Sequence, residues 1–201
     1  MSHAQDTGNI QIHPPNSDHP SLADGPGGFD RSWFMGRWGV AWSTLPMWKD
    51  KKDVVIEYEP VAKESKINTT FSSVVYYHKR SAAEGSKPST VKGTETLSTG
   101  KNGANFDWKG SSYLFFVHSH WEVLGFGKDE SSGLEWAVTF FSKTLFTPAG
   151  LDVYVRSTAG SSPDSTTRQA LVDRIVEVVK QNEDERVRKH AEGGFNVPGV
   201  V

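Results

Sequence analysis

The residues best suited to chemistry in this 201-residue chain are His118, His120 and Glu122, which alternate along the sequence. Alternate residues of a β-strand point to the same side, so an unbroken strand would present two imidazoles and a carboxylate together. These groups could transfer protons, anchor a ligand or bind a metal ion. The spacing is also compatible with a solvated corner between two strands, and we expect no metal and no cofactor.

Two other segments place polar groups among aromatic residues. In Tyr76-Tyr77-His78, Tyr76 and His78 share one side of a strand and Tyr77 takes the other, so one of these two sets should face the interior. Asp107 stands between two aromatic residues, and such surroundings could raise the pKa of its carboxyl group. Surface positions are the alternative for all four residues.

The elements that must position these side chains are predicted to be mostly strands. Trp38, Val40 and Trp42 recur at a period of two, which indicates a strand with one apolar face. Similar short runs follow at nearly even spacing, separated by turn residues. We predict strands over 36–45, 53–58, 67–79, 89–97, 104–108, 113–118, 121–126, 135–143 and 151–156.

One helix is predicted over 163–182. Ser162 could cap its first turn, and Leu171, Ile175 and Val178 recur at helical spacing to form an apolar face. Eight or nine antiparallel strands followed by one helix predict an all-β fold. We expect a closed up-and-down barrel with the helix packed outside, because closure leaves no exposed sheet edge.

The barrel and its helix are predicted to span 29–182. Residues 1–28 hold four of the ten prolines and three of the seven histidines without an apolar period, which predicts a disordered or loosely packed N-terminal arm. Residues 183–201 begin with a run of charges and are predicted to form a C-terminal tail.

Composition argues against several classes of function. The 22 Lys and Arg nearly balance the 24 Asp and Glu, so no nucleic-acid partner is expected. The chain has no Cys, which excludes disulfides and a thiol nucleophile. The nucleotide-binding loops and the common hydrolase motifs are missing. The longest apolar run, 113–117, is too short to span a membrane, and the first twenty residues lack the apolar segment of a secretory signal, so the cytoplasm is the predicted location.

Four short motifs follow one another along the chain: Gly36-Arg37-Trp38, Lys92-Gly93-Thr94, Trp121-Glu122-Val123-Leu124-Gly125 and Phe141-Ser142-Lys143-Thr144. They resemble motifs of the lipocalins, in the order in which that family has them. The resemblance covers 29–182 and includes the terminal helix. Because the chain has no Cys, it is most similar to cysteine-free intracellular lipocalin-like proteins of bacterial or fungal type.

The resemblance implies a structural cluster at one end of the barrel and a ligand cavity inside it. Gly36 and Trp38 would form the barrel base, and Lys143, where the family usually has Arg, would lie over the Trp38 ring. If Lys143 points inward, Thr139 and Phe141 do so as well. The side chains expected to line the cavity are Trp42, Tyr76, His78, Phe106, Trp108, Phe116, Thr139 and Phe141.

These features predict a binder of one small apolar or aromatic molecule. The alternative is a cofactor-independent isomerase, cyclase or dehydratase of a natural-product-like substrate, with His118, His120 and Glu122 as acid–base groups in the same cavity. A haem carrier, a third alternative, would need an inward-facing histidine. The enzyme predicts that at least two of His118, His120, Glu122, Asp107 and His78 converge in one pocket. The oligomeric state stays open.

Overall fold

The computed structural model describes residues 10–61, 69–145 and 147–199, and these residues contain nine strands and three helices. The helices are α1 (Arg31–Phe34), α2 (Ser165–Lys180) and α3 (Glu185–Ala191). The strands are β1 (Gly36–Ser43), β2 (Lys51–Pro60), β3 (Thr70–Lys79), β4 (Ser89–Leu97), β5 (Asn105–Gly110), β6 (His118–Asp129), β7 (Leu134–Phe141), β8 (Gly150–Ser157) and β9 (Phe195–Asn196). Parts of the predicted arm (1–9), third strand (67–68) and tail (200–201) lie outside the described residues.

Strands β1 to β8 form a closed antiparallel up-and-down barrel. Each strand pairs with the next, and β1 also pairs with β8, which completes the ring. The predicted barrel is therefore confirmed. The short strand β9 pairs with β1 from outside the ring. No helix within the described residues is long and apolar enough to cross a membrane.

The C-terminal region contains two helices rather than the single predicted one. Helix α2 matches the prediction, but Asp164, not Ser162, caps it by accepting a hydrogen bond from the Thr167 amide. Helix α3 was missed because it has only seven residues, most of them charged. Its buried Val187 and Ala191 join the apolar cluster that α2 forms with the outer faces of β6, β7 and β8.

The described part of the arm, 10–28, packs on the barrel rather than lying loose. Leu22 is fully buried, and the His13 amide donates a hydrogen bond to the Leu124 carbonyl. Ile12 contacts the cluster under α2. Single apolar residues without a period therefore anchor this segment, and no periodic pattern could have predicted their burial. The domain boundaries themselves stay a prediction.

A break in the register of β1 determines which of its tryptophans face the barrel interior. Trp38 and Val40 belong to the interior core, but the pairing with β8 shifts between Val40 and Trp42. The extra residue reverses the alternation, so Trp42 packs in the outer cluster beside α2 and α3. The expectation that Trp42 lines the cavity is therefore wrong.

Trp38 lies at the closed end of the barrel, which α1 covers. Its indole Nε1 donates a hydrogen bond to the Phe34 carbonyl oxygen at 2.8 Å. The guanidinium group of Arg156 lies 3.9 Å from the Trp38 ring centroid, in the place expected for Lys143. Lys143 follows the end of β7, and since β7 runs away from α1, its side chain is at the opposite end of the barrel. The assignment of Lys143 to the base is therefore wrong.

Arg156 makes three further contacts at the closed end of the barrel. It donates hydrogen bonds to the carbonyl oxygens of Trp33 and Met35 and forms an ion pair with Glu135. Gly36 begins β1 with a φ of +99°, a backbone conformation that favours glycine, and this lets the chain turn sharply from α1 into the barrel.

Candidate ligand-binding site

The open half of the barrel contains a cavity of about 560 Å³. It opens between the β1–β2, β5–β6 and β7–β8 loops, at the end opposite α1. Aromatic side chains dominate its wall. They include Trp48, Tyr58, Tyr77, Trp108, Trp121 and Phe141.

In the closed half of the barrel, aromatic rings pack closely against one another. The Phe34 ring lies 5.0 Å from the Tyr58 ring and 6.0 Å from the Trp121 ring, measured between centroids. Phe106 packs against Phe71 and Trp121 in the same layer. The layer of Tyr58 and Trp121 is therefore the floor of the cavity.

Glu95 is a buried acid in the cavity wall, only 2% exposed. Its Oε2 accepts a hydrogen bond from Trp121 Nε1 at 2.7 Å, and the Ser73 hydroxyl also bonds to it. Burial raises the pKa of the Glu95 carboxyl to about 7, although these two hydrogen bonds oppose the shift. Glu95 is therefore only partly ionised near neutral pH.

Asp152 is a second buried acid in the same wall, fully shielded from solvent. Its Oδ2 accepts a hydrogen bond from Trp48 Nε1 at 3.3 Å, and the Ser43 side chain also hydrogen-bonds to this carboxyl group. The other oxygen, Oδ1, is buried and has no hydrogen-bond partner among the described residues. Burial raises the pKa of this carboxyl to about 7 as well.

The two acids face each other across the barrel. Glu95 is on β4 and Asp152 on β8, which are four strands apart in the ring of eight. Glu95 is near the end of β4 at the closed side, whereas Asp152 is near the start of β8 at the open side. Between them stand the buried Tyr58 and Tyr154, and burial raises the pKa of both phenols well above the usual value.

His118, His120 and Glu122 lie outside the cavity, on the outer face of the barrel. Ser119 and Trp121, which alternate with them, line the cavity instead. The prediction that the three share a strand side is therefore compatible with the structure, but the expected side is wrong. Strand parity alone does not show which set of side chains points inward.

His118 and His120 line a second, open pocket at the open end of the barrel together with Asp107. Three of the five groups named for the enzyme alternative therefore converge there, but Glu122 is not among the lining residues.

The outer polar groups are bonded mainly to one another and to the arm. His120 Nδ1 is 2.9 Å from Asp107 Oδ1, and its Nε2 is 3.1 Å from Asn105 Oδ1. Glu122 Oε2 accepts a hydrogen bond from the Asn16 amide at 2.7 Å. Burial raises the pKa of Glu122, whereas hydrogen bonds from His120 and Ser98 lower the pKa of Asp107 against the effect of its partial burial.

The remaining predicted cavity residues are divided among four places. Trp108 and Phe141 line the cavity. Phe106 is part of the core beneath the floor, and Thr139 is buried beside Asp152, to whose carbonyl its hydroxyl donates a hydrogen bond. Phe116 is 58% exposed in the loop at the mouth.

Tyr76 and His78 point away from the cavity, since Val75 and Tyr77 take the inner face of β3. Tyr76 lies under Arg37 on the outer surface, and His78 Nε2 is 3.0 Å from the Ser86 carbonyl. The sequence left open whether Tyr77 or the pair Tyr76 and His78 faces the interior. In the structure, Tyr77 faces the interior.

The mouth of the cavity carries exposed apolar side chains. Residues 113–117, predicted as a strand, belong instead to the β5–β6 loop, which begins with a short 3-10 turn, Ser112–Leu114. Leu114 and Val117 line the entrance. The exposed residues around it are Met47, Phe115, Phe116 and Leu145.

The buried acids Asp152 and Glu95 were not predicted from the sequence, which nevertheless contains a pattern that could have indicated one of them. In β8, Asp152 and Tyr154 alternate with Leu151, Val153 and Val155. An acid amid apolar residues of a short strand indicates a buried carboxyl group or an edge position. Glu95 had no such signal, because its neighbours Thr94 and Thr96 are polar.

Metal-binding geometry is missing in the described part of the chain, where no three His, Asp or Glu side chains are grouped to hold an ion. The cavity wall formed by the described residues also contains no histidine, so the haem-carrier alternative lacks its axial ligand there.

Comparison with known proteins gives a match in structure only. No protein-family model matches the sequence, and no curated protein matches it. Lobster apocrustacyanin A1 superimposes with a TM-score of 0.53 at 11% identity, covering 99% of this chain and 94% of that one. Insecticyanin from the tobacco hornworm, Manduca sexta, gives 0.52 at 13% identity, covering 96% and 88%. The chain has the lipocalin fold.

At such low identity, the likeness to these lipocalins concerns the fold alone. The eight-stranded ring, the outer C-terminal helix and the tryptophan at the closed end are where the sequence resemblance implied them. The function has to be argued from the cavity itself, since fold does not determine function.

Proposed function

We propose that this lipocalin-fold protein binds one small, predominantly apolar or aromatic molecule inside the barrel. The observation that carries the proposal is the open cavity of about 560 Å³ with its aromatic wall. Its volume falls within the range usual for small-molecule sites, which are mostly apolar with a few placed polar groups. Cytoplasmic residence remains a prediction from the sequence.

Two neighbouring valines of β3 provide a matched test. Val75 lines the cavity, whereas Val74 points to the outer face. We expect Val75→Trp to fill part of the cavity and to weaken binding of the neutral fluorophore N-phenyl-1-naphthylamine at least tenfold. Val74→Trp should bind the fluorophore as the parent does. Equal affinity of all three proteins would contradict binding inside the barrel.

A cofactor-independent isomerase, cyclase or dehydratase is a second candidate, and the buried acids favour it. A carboxyl group whose pKa is raised to about 7 can both donate and accept a proton near neutral pH, as Glu95 and Asp152 could. In this candidate function, Glu95 and Asp152 take the acid–base role that was predicted from the sequence for His118, His120 and Glu122.

Native mass spectrometry of the purified protein, followed by liquid chromatography of the released molecule, separates the two candidates. A retained molecule whose mass and retention time both stay constant on incubation supports the binder. A molecule whose mass or retention time changes with the parent protein, but not with Glu95→Gln or Asp152→Asn, supports the enzyme, since isomerisation leaves the mass unchanged. The outer-face variant His120→Ala is the control and should behave as the parent does.

A further inference from the structure

We infer that the ligand is an organic amine with an apolar or aromatic body, and that Asp152 binds its ammonium group. The inference rests on the proposed function and specifies the chemical class of the molecule that occupies the cavity. It is carried by the vacant buried oxygen of Asp152, the shortage of cations in the cavity and the aromatic wall.

The cavity contains more acid than cation. Among the described residues that line it, Lys51 is the one cationic side chain, and its Nζ lies 2.7 Å from Asp50 Oδ1 near the mouth. Glu95 and Asp152 therefore have no cationic partner there. An ionised carboxylate in apolar surroundings is strongly disfavoured unless a cation pairs with it.

Asp152 differs from Glu95 in having one buried carboxylate oxygen without a hydrogen-bond partner in the described structure. Each carboxyl group hydrogen-bonds to one tryptophan and one serine. Glu95 bonds to Trp121 and Ser73, and Asp152 bonds to Trp48 and Ser43. The oxygen without a partner is Oδ1 of Asp152. A buried acceptor without a partner is costly, and an ammonium N–H group would satisfy it.

The aromatic rings around Asp152 suit a cation as well as an apolar body. Trp48 and Tyr154 line the cavity beside it, and Tyr58 lies next to Tyr154. The faces of such rings carry partial negative charge and attract ammonium groups. A hydrocarbon ligand would use the area of these rings but would leave Oδ1 of Asp152 unsatisfied.

The same charges discriminate against carboxylate ligands. Binding of an ammonium ion to protonated Asp152 releases the carboxyl proton to solvent and leaves a neutral ion pair. Binding of a carboxylate would place a third acid beside Glu95 and Asp152, without a cation to pair with it. The cavity is therefore expected to prefer amines over acids of the same shape.

Three probes with one aromatic body test this preference: 1-naphthylmethylamine, 1-naphthylmethanol and 1-naphthoic acid, titrated calorimetrically into the full chain at pH 7. We expect the amine to bind at least tenfold more tightly than the alcohol, and the acid to bind most weakly. Repeating the amine titration in buffers of different ionisation enthalpy should show proton release.

The variants separate failure of this inference from failure of the proposed function. Asp152→Asn should bind amine and alcohol about equally, Glu95→Gln should reduce the preference less, and the outer-face control Asp107→Asn should keep it. Alcohol binding equal to amine binding in the parent, or an amine preference that survives Asp152→Asn, would overturn the inference and leave the proposed function standing. If none of the three probes binds, both are overturned.

Discussion

Asp152 and Asp107 are the same residue type on the same barrel, yet their surroundings give them opposite properties. Asp152 is on the inner face and fully buried, and burial raises the pKa of its carboxyl to about 7. Asp107 is on the outer face with 61% of its side chain exposed. Hydrogen bonds from His120 and Ser98 outweigh its partial burial and lower its pKa. The face of the sheet, not the residue type, decides which acid can exchange protons near neutral pH.

The two faces also differ in what their polar groups are bonded to. On the outer face, His120 joins Asp107 to Asn105, and Glu122 holds the arm at Asn16. These contacts stabilise the fold locally. On the inner face, Asp152 keeps an oxygen without a partner in the described structure. The chemically conspicuous His120 therefore has structural contacts, whereas Asp152, which was not predicted from the sequence, faces the cavity.

The largest expected effect is stabilisation of the ligand-free protein by Asp152→Asn or Glu95→Gln at pH 8. Because the folded-state pKa of each acid is about 7, above its ordinary value, ionisation opposes folding. The penalty grows as the pH rises from about 4 to 7 and is constant above that range. We expect each variant to exceed the parent by on the order of 3 kcal/mol at pH 8, with a smaller difference at pH 5, in urea unfolding.

Asp107→Asn is the outer-face counterpart of that experiment. Its carboxylate has a lowered pKa, so it contributes stability above its ordinary pKa and loses it as the pH falls. Removal of the Asp107 carboxylate should lower the free energy of unfolding by less than about 1 kcal/mol at pH 8, because the group is largely exposed. If Asp152→Asn raised the free energy of unfolding equally at pH 5 and pH 8, ionisation of Asp152 would not be what opposes folding.

A smaller effect, about 2 kcal/mol of lost stability, is expected for Arg156→Met at the closed end. The substitution removes the hydrogen bonds to the Trp33 and Met35 carbonyls, the ion pair with Glu135 and the contact with the Trp38 ring. Urea unfolding at pH 7 measures it.

Lys143→Met is the control for Arg156→Met, because Lys143 was the residue that the sequence placed over Trp38. At the open end it should change stability by less than about 0.5 kcal/mol. A larger loss for Lys143→Met than for Arg156→Met would restore the original assignment.

The smallest effect is expected for Glu122→Gln on the outer face. The amide is a weaker acceptor than the carboxylate for the Asn16 N–H group, so the arm should open more often. Hydrogen exchange at the Asn16 amide should become faster, with a global stability change below about 1 kcal/mol. Glu130→Gln, whose carboxylate pairs with Lys128 rather than with the arm, should leave that exchange rate unchanged.

Much of the fold could be predicted because it depends on local pattern. The period of two around Trp38 and the helical spacing of Leu171 and Ile175 each report a buried face directly. Short segments such as α3 and β9 escaped prediction because they are stabilised by contacts distant in sequence. Val187 is buried under the outer cluster, and Phe195 pairs with Ser43 of β1.

The candidate site was less predictable, for a reason visible in two strands. The sequence groups His118, His120 and Glu122 on one side of β6, but the side facing the cavity is set by the pairing of β6 with its neighbours. In β1, one extra residue before Trp42 reverses the alternation. A shift of a single residue exchanges the inner and outer faces, and no local pattern records it.

By itself, the sequence determined the approximate positions and order of the eight barrel strands, their closure into a barrel, the main helix and an aromatic interior, because alternation and helical period are local properties of the chain. Only the tertiary structure decided that Arg156 covers Trp38, that the histidines face outward and that Glu95 and Asp152 are buried in one cavity. These outcomes depend on strand register and on which side chains fill the closed half, and both are set by contacts between residues far apart in the sequence.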